Sequence, residues 1–468
     1  MLIRLLFAFA LVSGLYPQSL TEESAKKFIL QLCSDSNLYS MIDTQTLKIT
    51  NRLGIEYDNV RNKSMISYEL PAEIKKLFLV DISQFSFSIE KISDSVDKLK
   101  LSAPSKGYST QYYFTNSKFT HPVLVFTNDW TVRDSKYFKF LLQDKSLTNE
   151  YAIKKLDEFV EETGKLFRFT EKDFALLEKE KIYYVLCDGE DEVEKLTGYK
   201  ARGMYNLAGD MIITTYNSHY HELVHLLVNY KLKKLLLYTH SFLQEGIAVA
   251  LGGRGGFSPS SLLHIASFLE TSGFVSYKEI LKNSDFKMND ASITYPVSGL
   301  YSSFLLERLG VEKYFELYRK YSSNESSISE MEIDTDVLPS ESEWKNFYQG
   351  YVNPIIILSE KSDERKYYQE GNYYFFNLNE PLFIKAGEPT DYQSILFKEL
   401  FPGREYKGEK YGIIPKENEI TVYNFFTNNI EAGYSTGFSS EHKNLKNEKG
   451  FWCFQIEAKM FDHLLTDE

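Results

Sequence analysis

Apolar residues recur at helical spacing over 149–167, where Ile153, Leu156, Phe159, Val160, Leu166 and Phe167 line one side. That spacing predicts an amphipathic helix. Apolar runs predict strands over 123–126, 137–142 and 181–187, and 191–196 reads as a short helix closed by Gly198. Over 204–216 two apolar-rich arms flank Ala208-Gly209-Asp210, the pattern of a β-hairpin. Residues 242–251, 259–270 and 300–321 read as further helices. Ahead of this block, 22–32 reads as a helix, whereas 47–55 and 85–89 alternate apolar and polar positions as strands do. Beyond about residue 350 the pattern changes to aromatic-rich strands at 373–376, 382–385, 420–426 and 451–458. The order predicts an α+β fold in three parts after residue 19. These are an N-terminal α+β accessory region over 20–125, a central domain of mixed sheet and helices over 126–350, and an all-β domain, a small sandwich, over 351–468.

Composition narrows the function. At 468 residues the chain exceeds what one hydrophobic core supports, and 43% apolar with 25% charged residues is a globular balance. A formal charge of −12 argues against a phosphate-tracking surface, so no nucleic-acid partner is expected. In the first 19 residues Arg4 is the only charge, Leu5 to Val12 is apolar, and the small residues Ser13 and Gly14 follow. This reads as a secretory signal over 1–19 and predicts an exported protein, secreted or periplasmic. The run is too short to span a bilayer and no other segment reaches 18 uncharged apolar residues, so no membrane span is expected after its removal. Three cysteines, Cys33, Cys187 and Cys453, exclude a disulfide scaffold.

The chemistry is concentrated at 219–225, which reads His-Tyr-His-Glu-Leu-Val-His and contains HExxH. With 8 His and 65 acidic residues in the chain, chance would produce this pattern in about 0.02 of such sequences. Asn217 and Ser218 are N-cap types, and Leu223, Leu226, Leu227 and Tyr230 fall away from the two histidines, as on a half-buried helix. One turn apart, His221 and His225 are spaced to bind one Zn²⁺, and Glu222, offset around the helix, is placed to act on water as general base. A catalytic zinc needs a third protein ligand. Between Leu226 and Gln244 there is no Asp or Glu, and the only imidazole is His240. The first carboxylate is Glu245, in a stretch where Ser241 and Gln244 form a capping-box pattern that predicts a helix with Glu245 in its first turn. The small residues Gly246 and Ala248 would let that helix lie close to the zinc helix. His219 is expected beside the ligands without joining them, and Gly252-Gly-Arg-Gly-Gly256 as a helix-closing rim loop, because it lacks the Lys-Ser/Thr of a phosphate cradle.

HExxH, nineteen intervening residues and then Glu-Gly-x-Ala resembles the zinc-binding core of the gluzincin peptidases, the class that includes thermolysin and the zinc aminopeptidases, over about 130–325. The resemblance implies a thermolysin-like domain in which the 204–216 hairpin supplies the edge strand along which a peptide or protein substrate lies. It also implies an oxyanion-steadying residue downstream. Tyr295, in Tyr-Pro-Val-Ser-Gly, is the first choice and Tyr301 the second. The aminopeptidase strand Gly-x-Met-Glu-Asn is replaced by Gly203-Met-Tyr-Asn206, which lacks the amine-binding Glu and points to an endopeptidase. The expected function is zinc-dependent peptide-bond hydrolysis. A binding or adhesion protein built on a non-catalytic module of this kind is the alternative.

Overall fold

The structure, a computed structural model, describes residues 19–351 except 256–258, 260, 261, 264, 265, 268, 269, 271–274, 290 and 335–338. Beyond 351 it describes six short strands, given below. Expectations for 1–18 lie outside the described residues. The fold is mixed α and β with several sheets. The chain divides into two compact units, 1–236 and 237–468.

The first unit begins with α1 (Glu22–Cys33), whose capping box pairs Thr21 with Ser24 and whose Phe28, Ile29 and Leu32 are buried. Next comes α2 (Thr44–Asn51), capped by Asp43, which accepts from the amides of Gln45 and Thr46. Part of the alternating stretch 47–55 is therefore helical. Alternation over four or five residues is a weak signal, and the Asp43 cap together with burial of Thr46, Ile49 and Thr50 one turn apart overrides it. The short β1 (Glu56–Tyr57) and the helix α3 (Ala72–Val80) lead into an antiparallel sheet. That sheet runs in order through β2 (Ser86–Lys91), β3 (Val96–Ala103), β4 (Tyr108–Thr115) and β5 (Lys118–Phe119). Its core is aromatic: Phe28 stacks on Phe119 and meets Tyr112 and Phe114 edge-on, at ring distances of 5.9, 5.6 and 5.1 Å.

Residues 123–126, expected as a strand, lie instead in the short helix α4 (Pro122–Phe126). Pro122 occupies its first position and His121 caps it. A four-residue apolar run does not tell helix from strand. A five-stranded sheet follows, made of β6 (Thr131–Asp134), β7 (Phe138–Leu142), β8 (Ile182–Leu186), β9 (Gly203–Asn206) and β10 (Met211–Thr214). Its order is β6-β7-β8-β10-β9, with β7, β8 and β10 parallel and the two outer strands antiparallel. The helices α5 (Glu150–Leu166) and α6 (Glu171–Glu180) connect β7 to β8, and α7 (Glu190–Thr197), closed by Gly198 in the left-handed conformation, follows β8. The hairpin β9-β10 thus puts β9 on the sheet edge. It leads into α8 (Tyr220–Leu232) and then β11 (Lys234–Leu235), which pairs parallel with β1.

In the second unit β12 (Tyr238–Thr239) precedes α9 (Ser241–Gly252). The described residues of 259–270 are helical, and α10 (Asn283–Met288), α11 (Ala291–Leu309), α12 (Val311–Lys320), β13 (Ser322–Ser323) and α13 (Glu341–Gln349) follow. The expected helix over 300–321 is two, parted at Gly310, whose φ of +79° suits glycine. Helices α9 and α11 pack closely. A Cβ on Gly246 would collide with the Ser302 hydroxyl and sit 2.6 Å from the Ser298 carbonyl oxygen. The close approach that Gly246 allows is therefore to α11. The Tyr314 hydroxyl donates to the Leu243 carbonyl (2.8 Å) and bonds Ser302 (2.8 Å), tying α12 to both helices. Tyr277, Tyr301 and Trp344 form an aromatic core with ring distances of 4.9–5.6 Å.

Past residue 351 the described strands are β14 (Ile356–Leu358), β15 (Tyr367–Gln369), β16 (Tyr373–Phe376), β17 (Leu382–Ile384), β18 (Tyr411–Ile413) and β19 (Trp452–Gln455). They pair in the orders β15-β14-β16-β19 and β17-β18. The expected strand 420–426, and the rest of the region read as an all-β domain, lie outside the described residues. Among the described residues no helix is long and apolar enough to cross a membrane.

Candidate metal centre

Helix α8 carries HExxH. Its N-cap is His219, not Asn217 or Ser218, and no side chain caps it. The helix start is held by the sheet instead: the His219 amide donates to the Tyr184 hydroxyl on β8 (2.9 Å), and His219 Nδ1 bonds the Thr214 hydroxyl on β10 (2.9 Å). The expectation of a half-buried helix is also corrected. His221 and every residue from Leu223 to Tyr230 are buried, as in a core helix. Burial pushes His219 down to about 4, so its ring is neutral near pH 7.

At spacing i, i+4 the His221 and His225 rings stand 4.9 Å apart, and their Nε2 atoms face each other at 3.3 Å. Two nitrogens bound to one tetrahedral ion at roughly 2.0–2.1 Å would be about 3.3 Å apart. His221, His225 and Glu245 each offer one ligand atom, and these atoms all lie within 4.8 Å of one another. The structure thus brings together the three residues expected to hold metal. Two imidazoles and a carboxylate are a donor set that suits a transition metal and leaves coordination positions open.

Helix α9 differs from expectation at its start. Its cap is His240, whose Nδ1 accepts from the Phe242 amide (3.2 Å), so Ser241 is the first helical residue and Glu245 falls in the second turn. The Nε2 of His240 donates to the Met331 carbonyl (3.2 Å). Both ring nitrogens of the competing ligand candidate are engaged in holding α9. At the other end Gly253 closes the helix, its amide donating to the Val249 carbonyl. Glu245 also adds to the burial that raises the phenol of Tyr318, a residue of α12 that nothing in its local sequence singled out.

Glu222 accepts a hydrogen bond from the Tyr205 amide on β9 (2.8 Å). In the β9-β10 register Tyr205 faces Ile212, and its amide points outward to the helix. Gly203, two residues earlier, is required by the fit: a Cβ there would sit 2.5 Å from the Thr214 hydroxyl and 2.6 Å from His219 Nδ1.

Behind this strand lies a buried polar cluster that spacing could not reveal. The Tyr205 hydroxyl donates to Asp210 Oδ1 (3.0 Å), and the Asp210 carboxylate, fully buried, pairs with Lys63. Lys63 also donates to the Thr50 carbonyl (2.9 Å). Arg52 donates to the carbonyls of Asp210 (2.8 Å), Gly209 (3.2 Å) and Lys181, and stacks over Tyr183 at 4.0 Å. Burial disfavours charge on all three groups, raising Asp210 and lowering Lys63 and Arg52, and their mutual attraction works against it.

The proposed oxyanion donors sit in different surroundings. Tyr295, expected ahead of the 300–321 helix, lies inside α11 next to Pro296, and its half-buried ring is 4.0 Å from the Arg254 guanidinium. A residue before proline is biased out of the helical region, and here the α9-α11 packing prevails. Tyr301 is fully buried in the aromatic core. Cys33 and Cys187 are buried free thiols, both pushed up to about 12 by burial, so neither is a thiolate near neutral pH.

The chain matches no protein-family model, none of the curated proteins and no solved structure.

Proposed function

We propose that the chain is an exported zinc-dependent endopeptidase of the gluzincin kind. One observation carries the reading: an HExxH helix whose two imidazole nitrogens converge at 3.3 Å, with the carboxylate of Glu245 among ligand atoms no more than 4.8 Å apart. The reading includes a gluzincin-like domain over 126–350 preceded by an accessory region and followed by an all-β domain.

In this reading His221, His225 and Glu245 hold the metal. When bound, zinc supplies Lewis acidity, lowering the pKa of water toward about 7 and polarising a carbonyl. Glu222 takes the proton from the attacking water and delivers it to the leaving amine as the C–N bond breaks. Its bond to the Tyr205 amide fixes one carboxylate oxygen and leaves the other for that transfer. An extended substrate pairs with the outward backbone groups of β9 other than the Tyr205 amide, which Glu222 holds. Tyr295, more exposed than Tyr301, donates to the developing oxyanion.

The test pairs metal analysis with digestion of a peptide library. The wild type is expected to cleave it, and Glu222→Gln to retain zinc while turnover falls about 10²–10⁴-fold. A zinc-loaded wild type that cleaves nothing would replace this reading with the binding or adhesion one. Tyr295→Phe is expected to lower kcat about 10–10³-fold with KM nearly unchanged. If Tyr301→Phe shows that loss instead, the donor is reassigned.

A further inference from the structure

We infer that the buried cluster of Arg52, Lys63 and Asp210 is a positioning device for Glu222 that acts through Tyr205, so that residues 50–63 are a working part of the site. The inference rests on Glu222 being the general base.

The route is continuous. Lys63 and Arg52 hold Asp210, the first through its carboxylate and the second through its carbonyl. Asp210 adopts a φ of +46°, a left-handed conformation that non-glycine residues rarely occupy, at the close of the β9-β10 turn. Its Oδ1 accepts from the Tyr205 hydroxyl, and the amide of that same tyrosine donates to Glu222 Oε2. Tyr205 therefore spans the two sites, with its phenol in the charge cluster and its backbone on the carboxylate. The turn is restrained on its other side too, because Asn206 Oδ1 accepts from the Gly209 amide (2.9 Å) and faces His121 Nε2 at 3.4 Å. Strand β9 is an outer strand of four residues, and among the described residues β10 is its only partner in the sheet. An outer strand of that length has few ladder bonds to fix the position of its turn end. A carboxylate held by one amide of a movable strand would lose its aim, and small misplacements of a base are costly in rate. The buried charges resist that movement, since displacing any one of them leaves another uncompensated.

The test uses the full-length zinc-loaded chain and four variants: Tyr205→Phe, Lys63→Met, Lys63→Arg and Glu222→Gln. Hydrogen exchange of the Tyr205 amide is read alongside zinc content, melting temperature, and kcat and KM on one peptide chosen from the library digest. Tyr205→Phe is expected to speed exchange of that amide about tenfold or more and to lower kcat about tenfold, with KM and zinc content unchanged. Lys63→Met should do the same, and Lys63→Arg should recover most of both losses. Wild-type exchange and kcat in a folded Tyr205→Phe chain would overturn the inference. So would a loss in KM or zinc alone, or a Lys63→Arg variant no better than Lys63→Met. If the wild type cleaves no peptide, the peptidase reading fails by itself, and the exchange measurements alone decide whether the cluster positions Glu222.

Discussion

Two buried polar clusters, one around Asp210 and one around His221 and His225, are built from different chemistry. Around Asp210, the cations Arg52 and Lys63 meet a carboxylate and five carbonyl oxygens, so most of their donors find acceptors within the protein, Arg52 Nε excepted. Around His221 and His225, two imidazole nitrogens point at each other, and in the three-residue group they share a 4.8 Å space with a carboxylate oxygen. The first cluster pairs cations with a carboxylate of the protein's own. The second brings together three groups that could hold a metal ion.

Metal analysis would break the comparison most directly. About one zinc per chain is expected, lost in His221→Ala and His225→Ala and largely lost in Glu245→Ala, whereas Lys63→Arg keeps it. Full retention in Glu245→Ala would remove that carboxylate from the ligand set. His240 would be a poor replacement, because both its nitrogens hold α9.

The cluster around Asp210 has its own test. Lys63→Met strands a buried carboxylate and is expected to cost about 3–5 kcal/mol in urea unfolding. Adding Asp210→Asn should return part of that, a non-additivity that a merely exposed ion pair would not show.

The smallest effect is one of pH. Burial pushes His121 and His240 down to about 4, below their value of about 6.5 in an unfolded chain. Between those values the unfolded chain binds more protons, so the stability these groups contribute is present above about pH 6.5 and lost as pH falls toward 4. The loss should be on the order of 2–3 kcal/mol for each group. His121→Gln should flatten the acid limb of a melting-temperature profile, and an unchanged limb would show that the ring is not buried neutral.

What could be read from the sequence was what is local. HExxH is four residues of spacing on one helix, and Glu245 followed from counting the carboxylates after it. The hairpin and its place beside α8 were legible because Ala208-Gly209-Asp210 interrupts two apolar arms. Short patterns misled at 47–51, an alternation, and at 123–126, an apolar run, where caps by Asp43 and His121 decide for helix. Pro296 hid the start of α11, because packing against Gly246 outweighs its local preference. The Arg52 to Asp210 contact joins residues 158 positions apart, and no periodicity within a window reaches so far.

The bond between Glu222 and the Tyr205 amide has a consequence for how the chain behaves in solution. An outer strand with free amides is a template on which a second molecule can add, the usual start of aggregation. Here the outward amide of Tyr205 is occupied by a carboxylate from the protein's own helix, while the opposite edge strand β6 carries Arg133 and Asp134. Truncating Glu222 to alanine would uncover that amide as well as remove the carboxylate, so loss of turnover in such a variant would be confounded by self-association. Replacement by glutamine keeps an oxygen on the amide and leaves that one amide covered.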